Sequence, residues 1–263
     1  MPPDPLAATI NPEHMELWCA YPGDLLSEPV AAACAELLTP DERGRWQKLR
    51  FEPNRREFLA SRALVRTALS AHHPLPPEAW RFRVNACGKP EAEPGCGLRF
   101  NLSNSPCLVV CLLARDAEVG VDAEPIARSG EILALAPNVF SPPELAQLES
   151  LPVSEREDRA LALWTLKEAY IKARGLGLSL PLTGFSFLFG GNEGVHLEID
   201  PSIQDDPGRW RVSLLDFAGH RIAMMVAAVA PPEVALWEAR LFTAPPRHLP
   251  IQPVPWFPRS PVS

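Results

Sequence analysis

The chain has 263 residues, is 46% hydrophobic and carries a formal net charge of −7, so it can bury a sizeable core in one large or two ordinary domains. The acidic balance argues against general nucleic-acid binding, which depends on lysine and arginine at phosphates. The N-terminus lacks a signal-peptide pattern, and no segment approaches the ~18 to 20 apolar residues of a membrane span, so we expect a cytoplasmic protein that does not enter the membrane.

The first half of the chain begins with a strand pattern at residues 15–21. A helical pattern follows at 31–51, and Pro40 divides it because proline suits the first turn of a new helix. Apolar residues at helical spacing predict a further helix at 54–73.

Strand patterns at residues 80–90 and 98–126 complete the first half. A short turn around Arg115 and Asp116 interrupts the second of them, and its length suits a hairpin connection between the flanking strands.

The second half predicts helices at 131–140 and 141–151, where Ser141 and Glu144 form a capping-box pattern, and its longest helix at 156–175. Five strand patterns separated by turn residues follow, at residues 183–190, 195–200, 209–217, 220–230 and 235–242.

These elements predict an α+β fold of two halves, 1–118 and 119–242. Residues 243–263 contain seven prolines, so they form neither a regular helix nor a central strand, and we expect an extended surface tail. The six cysteines show no CxxC pair or zinc spacing, which predicts reduced and mostly buried thiols.

Two carboxylates share one face of the predicted strand EVGVDAEP, because Asp122 and Glu124 alternate with apolar residues. Gly120 lies on the same face and leaves room there for a ligand. A D-x-E pattern is common on exposed edge strands, but a closely spaced carboxylate pair also suits Mg²⁺, which prefers oxygen ligands.

The longest helix supports the second interpretation. Trp164, Glu168, Ile171 and Lys172 lie on one stripe of a helix that is apolar around much of its circumference. A surface ion pair between Glu168 and Lys172 explains the two charges but not their apolar setting. A third metal carboxylate with an adjacent lysine explains both, because buried charges need partners.

Five motifs occur in order along residues 50–185, and together they resemble the 4′-phosphopantetheinyl transferases, specifically the larger surfactin-synthetase-activating class. They are GKP (88–90), FNLSNSP (100–106), GVDAE (120–124), FSPPE (140–144) and WTLKEAYIKARGLGLSLPL (164–182).

This resemblance implies a monomer of two similar α+β subdomains related by a pseudo-twofold axis, with coenzyme A in the cleft between them. It implies transfer of the 4′-phosphopantetheine group from coenzyme A to a serine of an apo acyl or peptidyl carrier protein, with release of adenosine 3′,5′-bisphosphate. The partners expected are therefore coenzyme A and carrier proteins, without nucleic acid or membrane.

Carried over by motif, Asp122, Glu124 and Glu168 hold Mg²⁺ against the pyrophosphate of coenzyme A. Lys172 stabilises the pyrophosphate or protonates the leaving oxygen. The carrier serine loses its proton to Glu168, to Glu144 or to a metal-bound water, and the sequence leaves these three open.

The resemblance also implies contacts to coenzyme A. Arginines suit a 3′-phosphate geometrically, although a solvated basic helix end explains the two arginines as well. The residues concerned are Lys89, Arg56, Arg62, Ser103, Asn104, Ser105 and Lys167. The segment after the motif helix, with Lys172 and Arg174, is a candidate surface for an acidic carrier.

Two other functions remain open from the sequence. A Mg²⁺-dependent hydrolase of coenzyme A or a related pyrophosphate would use the same three carboxylates with water in place of the carrier serine. An inactive homologue would keep only the affinity for coenzyme A or for the carrier, but the complete acidic triad disfavours it.

Asn104 stands where many members of the family have a histidine that contacts the 3′-phosphate. Asparagine donates a hydrogen bond but carries no charge, so we expect weaker discrimination against dephospho-coenzyme A, or an arginine that supplies the missing charge. The measurement is kcat/KM for both donors in the wild type, Arg56→Ala and Arg62→Ala. A strong preference for coenzyme A that survives both substitutions contradicts both expectations, the weaker discrimination and the compensating arginine.

Overall fold

The computed structural model of the chain describes residues 10, 14–93, 95–190, 194–250, 254 and 255. These residues form two compact units, each of mixed helices and antiparallel strands, as the α+β prediction requires. The first unit contains the described residues up to Ala117 and those from Glu233 to Pro250, and the second contains Glu118–Pro232 with Val254 and Pro255.

A five-stranded sheet organises the first unit. Its strands are β1 (His14–Ala20), β4 (Leu98–Asn104), β5 (Val109–Arg115), β11 (Glu233–Glu238) and β12 (Arg247–Leu249). They lie in the order β12-β11-β1-β5-β4, and all neighbours are antiparallel except β1 and β11. A separate hairpin joins β2 (Arg81–Val84) to β3 (Pro90–Glu93).

Three helices complete the first unit: α1 (Glu28–Glu36), α2 (Pro40–Lys48) and α3 (Glu52–Ser70). Helix α2 begins at Pro40 as predicted, and Thr39 caps it by accepting a hydrogen bond from the backbone N–H of Glu42 at 3.3 Å. Helix α3 packs its apolar face on β1, β4 and β5, because residues such as Leu64 and Leu69 recur at helical spacing and are fully buried.

Strand β11 belongs to the first unit, whereas the sequence grouped residues up to 242 with the second half. It pairs in parallel with β1, and Trp18 lies opposite Trp237. The two indole rings stack with centroids 5.7 Å apart, so β11 completes the core of the first unit.

The second unit contains a four-stranded antiparallel sheet in the order β13-β9-β10-β6, and a two-stranded ribbon. The sheet strands are β6 (Val119–Pro125), β9 (Trp210–Phe217), β10 (His220–Ala227) and β13 (Val254–Pro255), and the ribbon strands are β7 (Phe185–Phe189) and β8 (Val195–Ile199). The helices are α4 (Ser129–Val139), α5 (Pro142–Ser150) and α6 (Val153–Arg174).

The hairpin predicted across Arg115 and Asp116 is wrong. Strand β5 pairs with β1 and β4, whereas β6 pairs with β10. Turn length alone could not distinguish a hairpin from a connection between two sheets, since both use short polar segments.

The proline-rich tail supplies edge strands, as a segment poor in backbone donors can. Strand β12 pairs with β11, and β13 pairs with β9. Both lie at the edge of their sheets. Residues 251–253 and 256–263 of the predicted tail lie outside the described residues.

All six cysteines are unpaired. Cys19, Cys34 and Cys111 are buried, Cys96 is half-buried, and Cys87 and Cys107 are exposed. In the described part of the chain, no helix has the length and apolar character needed to cross a bilayer.

Gly120 decides how closely α6 packs on β6. A Cβ at this position would lie 2.1 Å from the carbonyl oxygen of Ala169 and 2.4 Å from the backbone nitrogen of Ala173. The expectation that Gly120 leaves room for a ligand is therefore wrong, because the helix backbone already fills that space.

We expect Gly120→Ala to lower the free energy of unfolding by at least about 3 kcal/mol, because backbone atoms on both elements must move. The matched control is Gly44→Ala in α2, where an added Cβ meets nothing within 4 Å. This control should be neutral or stabilising by about 0.5–1 kcal/mol. Urea denaturation measures both, and equal stability of the two variants would refute the packing argument.

Candidate functional site

The predicted carboxylates of β6 point toward α6. Gly120, Asp122 and Glu124 occupy one face of the strand, and the contact at Gly120 shows that this face lies against the helix. Glu168 directly precedes Ala169, whose carbonyl lies at that contact, and Lys172 directly precedes Ala173. The close packing therefore brings charged residues of α6 next to the carboxylates of β6.

Lys172 pairs with Asp122. The Nζ atom donates to Oδ1 of Asp122 at 2.6 Å, and the side chains are 28% and 6% exposed, respectively. The lysine side chain is thus partly exposed, whereas the carboxylate is nearly buried. The pairing confirms that the strand face and the helix stripe inferred from the sequence meet.

Glu124 is held on both oxygens. The indole nitrogen of Trp164 donates to Oε1 at 3.0 Å, and Nη1 of Arg128 donates to Oε2 at 2.6 Å. Arg128 ends the turn Ile126–Arg128 between β6 and α4, and its Nε also donates to Glu131 at 3.2 Å. These contacts fix the orientation of the Glu124 carboxylate.

Trp164 and Arg128 are functional candidates that the sequence did not select. The helical stripe that links Trp164 to Glu168 was a usable signal for the tryptophan. Arg128 follows Glu124 by four residues, but a strand end and a turn separate them, so helical spacing does not apply.

Burial and the carboxylates of β6 affect the pKa of Glu168. Burial raises its pKa, the charge of Asp122 raises it further, Lys172 lowers it, and Glu124 adds a smaller increase. Asp122 and Glu124 therefore each repel Glu168 electrostatically, and Lys172 offsets part of that repulsion.

No group of three or more histidine, cysteine, aspartate or glutamate side chains in the described part of the chain is arranged to hold a metal ion. Asp122 and Glu124 are instead each turned toward a cation of the protein. The donor set nevertheless fits a hard dication chemically, because it supplies carboxylate oxygens and an excess of negative charge. Binding would require these side chains to exchange partners.

Glu144 does not reach this group as a base. It is fully buried, its Oε2 accepts from the backbone N–H of Ser141 at 2.8 Å, and its Oε1 accepts from the backbone N–H of Phe187 at 2.8 Å. Glu144 therefore joins the start of α5 to β7. The role of proton acceptor that the sequence left open for Glu144 is not supported, because no surface of the carboxylate is accessible to a substrate hydroxyl.

Lys167 is the buried partner of Glu144, and its assignment as a contact to coenzyme A is likewise corrected. Nζ lies 2.7 Å from Oε2 of Glu144, donates to the carbonyl of Phe185 at 2.7 Å and lies over the Phe185 ring. Both side chains of the pair are 0% exposed. Burial lowers the pKa of Lys167, and Glu144 opposes that shift.

The remaining residues predicted to contact coenzyme A lie in the first unit. Two of them, Arg56 and Arg62 in α3, already have carboxylate neighbours: Arg56 Nε lies 3.4 Å from Glu52 and Arg62 Nε lies 3.5 Å from Glu42. A phosphate bound by either arginine has to compete with these pairs.

Ser105 has a structural role in the turn after β4. Its hydroxyl donates to the carbonyl of Leu108 at 3.0 Å and lies 3.2 Å from the Leu108 nitrogen, which donates to it. Ser103 is buried, whereas Asn104 is exposed at the end of β4. Lys89 lies in the β2–β3 turn, where its N–H donates to the side chain of Asn85 at 2.9 Å.

Helix α6 ends at Gly175, whose φ of 62° is left-handed. Arg174, proposed as part of a carrier surface, pairs with Asp205 at 2.8 Å and is 16% exposed. Its charge is therefore largely committed within the second unit.

The chain is similar to known proteins of one family. The model of the 4′-phosphopantetheinyl transferase superfamily matches residues 118–225. The 4′-phosphopantetheinyl transferase HetI from Nostoc sp. is 32% identical over 180 residues, which cover 67% of this chain and 75% of that protein. The 4′-phosphopantetheinyl transferase Sfp from Bacillus subtilis is 29% identical over 192 residues, covering 72% and 83%, respectively.

We expect the same substitution to have different effects on stability at the two lysines of α6. Lys167→Met leaves Glu144 as an uncompensated buried charge and should lower the free energy of unfolding by about 3–5 kcal/mol. Lys172→Met should cost less stability, because the Lys172 side chain is 28% exposed whereas that of Lys167 is 0% exposed. Urea denaturation compares the two variants, and a fully stable Lys167→Met protein without activity would return Lys167 to the substrate site.

Proposed function

The chain belongs to the 4′-phosphopantetheinyl transferase superfamily, and from this premise we propose that it transfers the 4′-phosphopantetheine group of coenzyme A to a serine of an apo acyl or peptidyl carrier protein. The serine oxygen forms a bond to phosphorus, and the bond from phosphorus to the bridging pyrophosphate oxygen breaks. Adenosine 3′,5′-bisphosphate leaves. The reaction is proposed to depend on Mg²⁺.

The contact that supports this proposal most strongly is the Lys172–Asp122 pair between α6 and β6. It brings a partly exposed lysine side chain close to the carboxylates Asp122, Glu124 and Glu168. Phosphoryl transfer needs this combination, because catalysis there consists mainly of positioning and charge stabilisation.

Asp122, Glu124 and Glu168 are the residues that would hold Mg²⁺. Bound there, the ion would neutralise charge on the pyrophosphate of coenzyme A. The charges of Asp122 and Glu124 add to the effect of burial in raising the pKa of Glu168, so a cation beside these carboxylates would relieve their repulsion.

Lys172 is proposed to exchange Asp122 for the pyrophosphate and to stabilise or protonate the leaving oxygen. Its 28% exposure and its position on the last turn of α6 permit that movement. Glu168 is the side chain proposed to accept the proton of the carrier serine, since Glu144 is buried and fully engaged.

We propose that the enzyme acts as a monomer in the cytoplasm. Its six unpaired thiols suit a reducing compartment. The carrier that it modifies belongs to a fatty acid, polyketide or nonribosomal peptide synthase, which a panel of carriers distinguishes.

The test incubates the enzyme with coenzyme A, Mg²⁺ and a panel of apo carriers, followed by mass spectrometry of the carriers. We expect a gain of one phosphopantetheine group on a serine, abolished by Asp122→Ala or Glu168→Ala. Lys172→Ala should reduce kcat more than it raises KM. Arg83→Gln, which breaks an exposed pair with Glu91 in the first unit, is the control and should keep full activity.

Three results would contradict the proposal. Loss of coenzyme A without labelled carrier indicates a hydrolase, and binding without either reaction indicates an inactive homologue. Near-normal rates in Asp122→Ala or Glu168→Ala would remove the metal assignment.

A further inference from the structure

Arg128 is a protein cation that would compete with a dication for one of the proposed metal carboxylates. Its Nη1 donates to Oε2 of Glu124 at 2.6 Å, a charge-assisted contact to one of the proposed metal carboxylates. Trp164 holds the other oxygen, Oε1, at 3.0 Å. A metal ion at Glu124 therefore has to displace Arg128 or share its oxygen.

A second acidic partner gives Arg128 a place to move. Glu131, in the first turn of α4, accepts from Nε of Arg128 at 3.2 Å and is 71% exposed. Arg128 itself is 43% exposed, so its guanidinium can leave Glu124 without entering the core and remain paired with Glu131.

The two cations near the three carboxylates differ in this respect. Lys172 is bound to the nearly buried Asp122. Arg128 is more exposed than Lys172 and is shared between two glutamates. Of these two cations, Arg128 can leave its carboxylate more easily, because its departure does not leave the nearly buried Asp122 without a cation.

We propose that Arg128 is an internal competitor of the divalent cation: it neutralises Glu124 in the metal-free enzyme, moves to Glu131 when the ion binds, and thereby sets the metal affinity. This inference rests on the metal assignment made for the proposed function. Arg128 is thus a positioning residue that acts through Glu124.

Coulomb repulsion sets the expected size of the effect. A guanidinium a few ångströms from a dication repels it, and solvent at a partly exposed site screens that repulsion strongly. Removing the charge, and with it the exposed ion pair that must break, should raise the affinity about three- to tenfold.

The experiment measures the Kd of Mn²⁺, a paramagnetic substitute for Mg²⁺, by electron paramagnetic resonance of the unbound ion in the full-length protein without coenzyme A. Arg128→Gln should bind Mn²⁺ about three- to tenfold more tightly than the wild type. Arg128→Lys keeps the positive charge and loses the planar guanidinium, so its Kd for Mn²⁺ should lie between those of the wild type and Arg128→Gln. Arg83→Gln, the control that breaks the exposed pair with Glu91, should leave the Kd unchanged.

A double-mutant cycle tests the role of Glu131. Glu131→Gln removes the alternative partner of Arg128 and should weaken Mn²⁺ binding in the wild-type background. If Glu131 acts through Arg128, the same substitution should have a clearly smaller effect in Arg128→Gln protein. An equal effect in both backgrounds overturns the exchange of partners.

Two further outcomes separate the inference from the proposed function. Arg128→Gln protein that binds Mn²⁺ no more tightly than the wild type overturns the competition and leaves the metal assignment standing. Adding Asp122→Asn to Arg128→Gln should abolish the tight binding. If it does not, or if no variant binds Mn²⁺, the metal assignment itself fails.

Thermal unfolding without metal provides a second readout. Arg128→Gln leaves the negative charge of Glu124 uncompensated, so its Tm in a metal chelator should fall below that of the wild type. Saturating Mg²⁺ should raise the Tm of Arg128→Gln by more than it raises the Tm of the wild type, because ligands stabilise the state that they bind. Equal Mg²⁺-dependent shifts contradict the competition.

Discussion

The contact between the backbone of α6 and the bare Cα of Gly120 is the constraint on which the second unit depends. A Cβ at Gly120 would lie 2.1 Å from a carbonyl oxygen of the helix, so strand and helix approach each other too closely for a larger residue at this position. The small residues Ala169 and Ala173 on the helix side permit the same approach. Since Glu168 and Lys172 flank these alanines, the depth of the packing also determines how near the charges of the helix come to Asp122 and Glu124.

Two lysines five residues apart on α6 have different roles because they differ in burial. The buried one stabilises the fold, and the partly exposed one is available for chemistry. Lys167 and Glu144 have no exposed surface, and hydrogen bonds to backbone groups complete the coordination of both. Neither can change partner without leaving a charge in the core. Lys172 forms a similarly short bond to Asp122, but its side chain is 28% exposed. The distances are similar, and only the difference in access to solvent makes Lys172 available to a substrate.

Alternation along β6 and the stripe of α6 predicted which side chains share a face of each element, because these patterns follow directly from strand and helix geometry. That Asp122 and Glu124 come together with Glu168 was implied by the resemblance to the family, since local periodicity does not show which helix packs on which strand. Local patterns could not show that Lys167 turns inward to Glu144, since that pair joins helix α6 to a residue more than twenty positions earlier. The sequence missed Arg128 because a strand end and a turn separate it from Glu124, so helical spacing does not apply. It also placed β11 with the wrong neighbours. A parallel partner more than 200 residues away leaves no trace in local periodicity.

The parallel pairing of β1 with β11 has a consequence for the order of events during synthesis. Strand β1 leaves the ribosome before the stretch 118–232, and its neighbour β11 leaves after it. The helices and most strands of the second unit lie in the uninterrupted stretch 118–232 and emerge between them. The first unit therefore cannot close its sheet until residues 118–232 have been synthesised, so Trp18 lacks its stacking partner Trp237 until then.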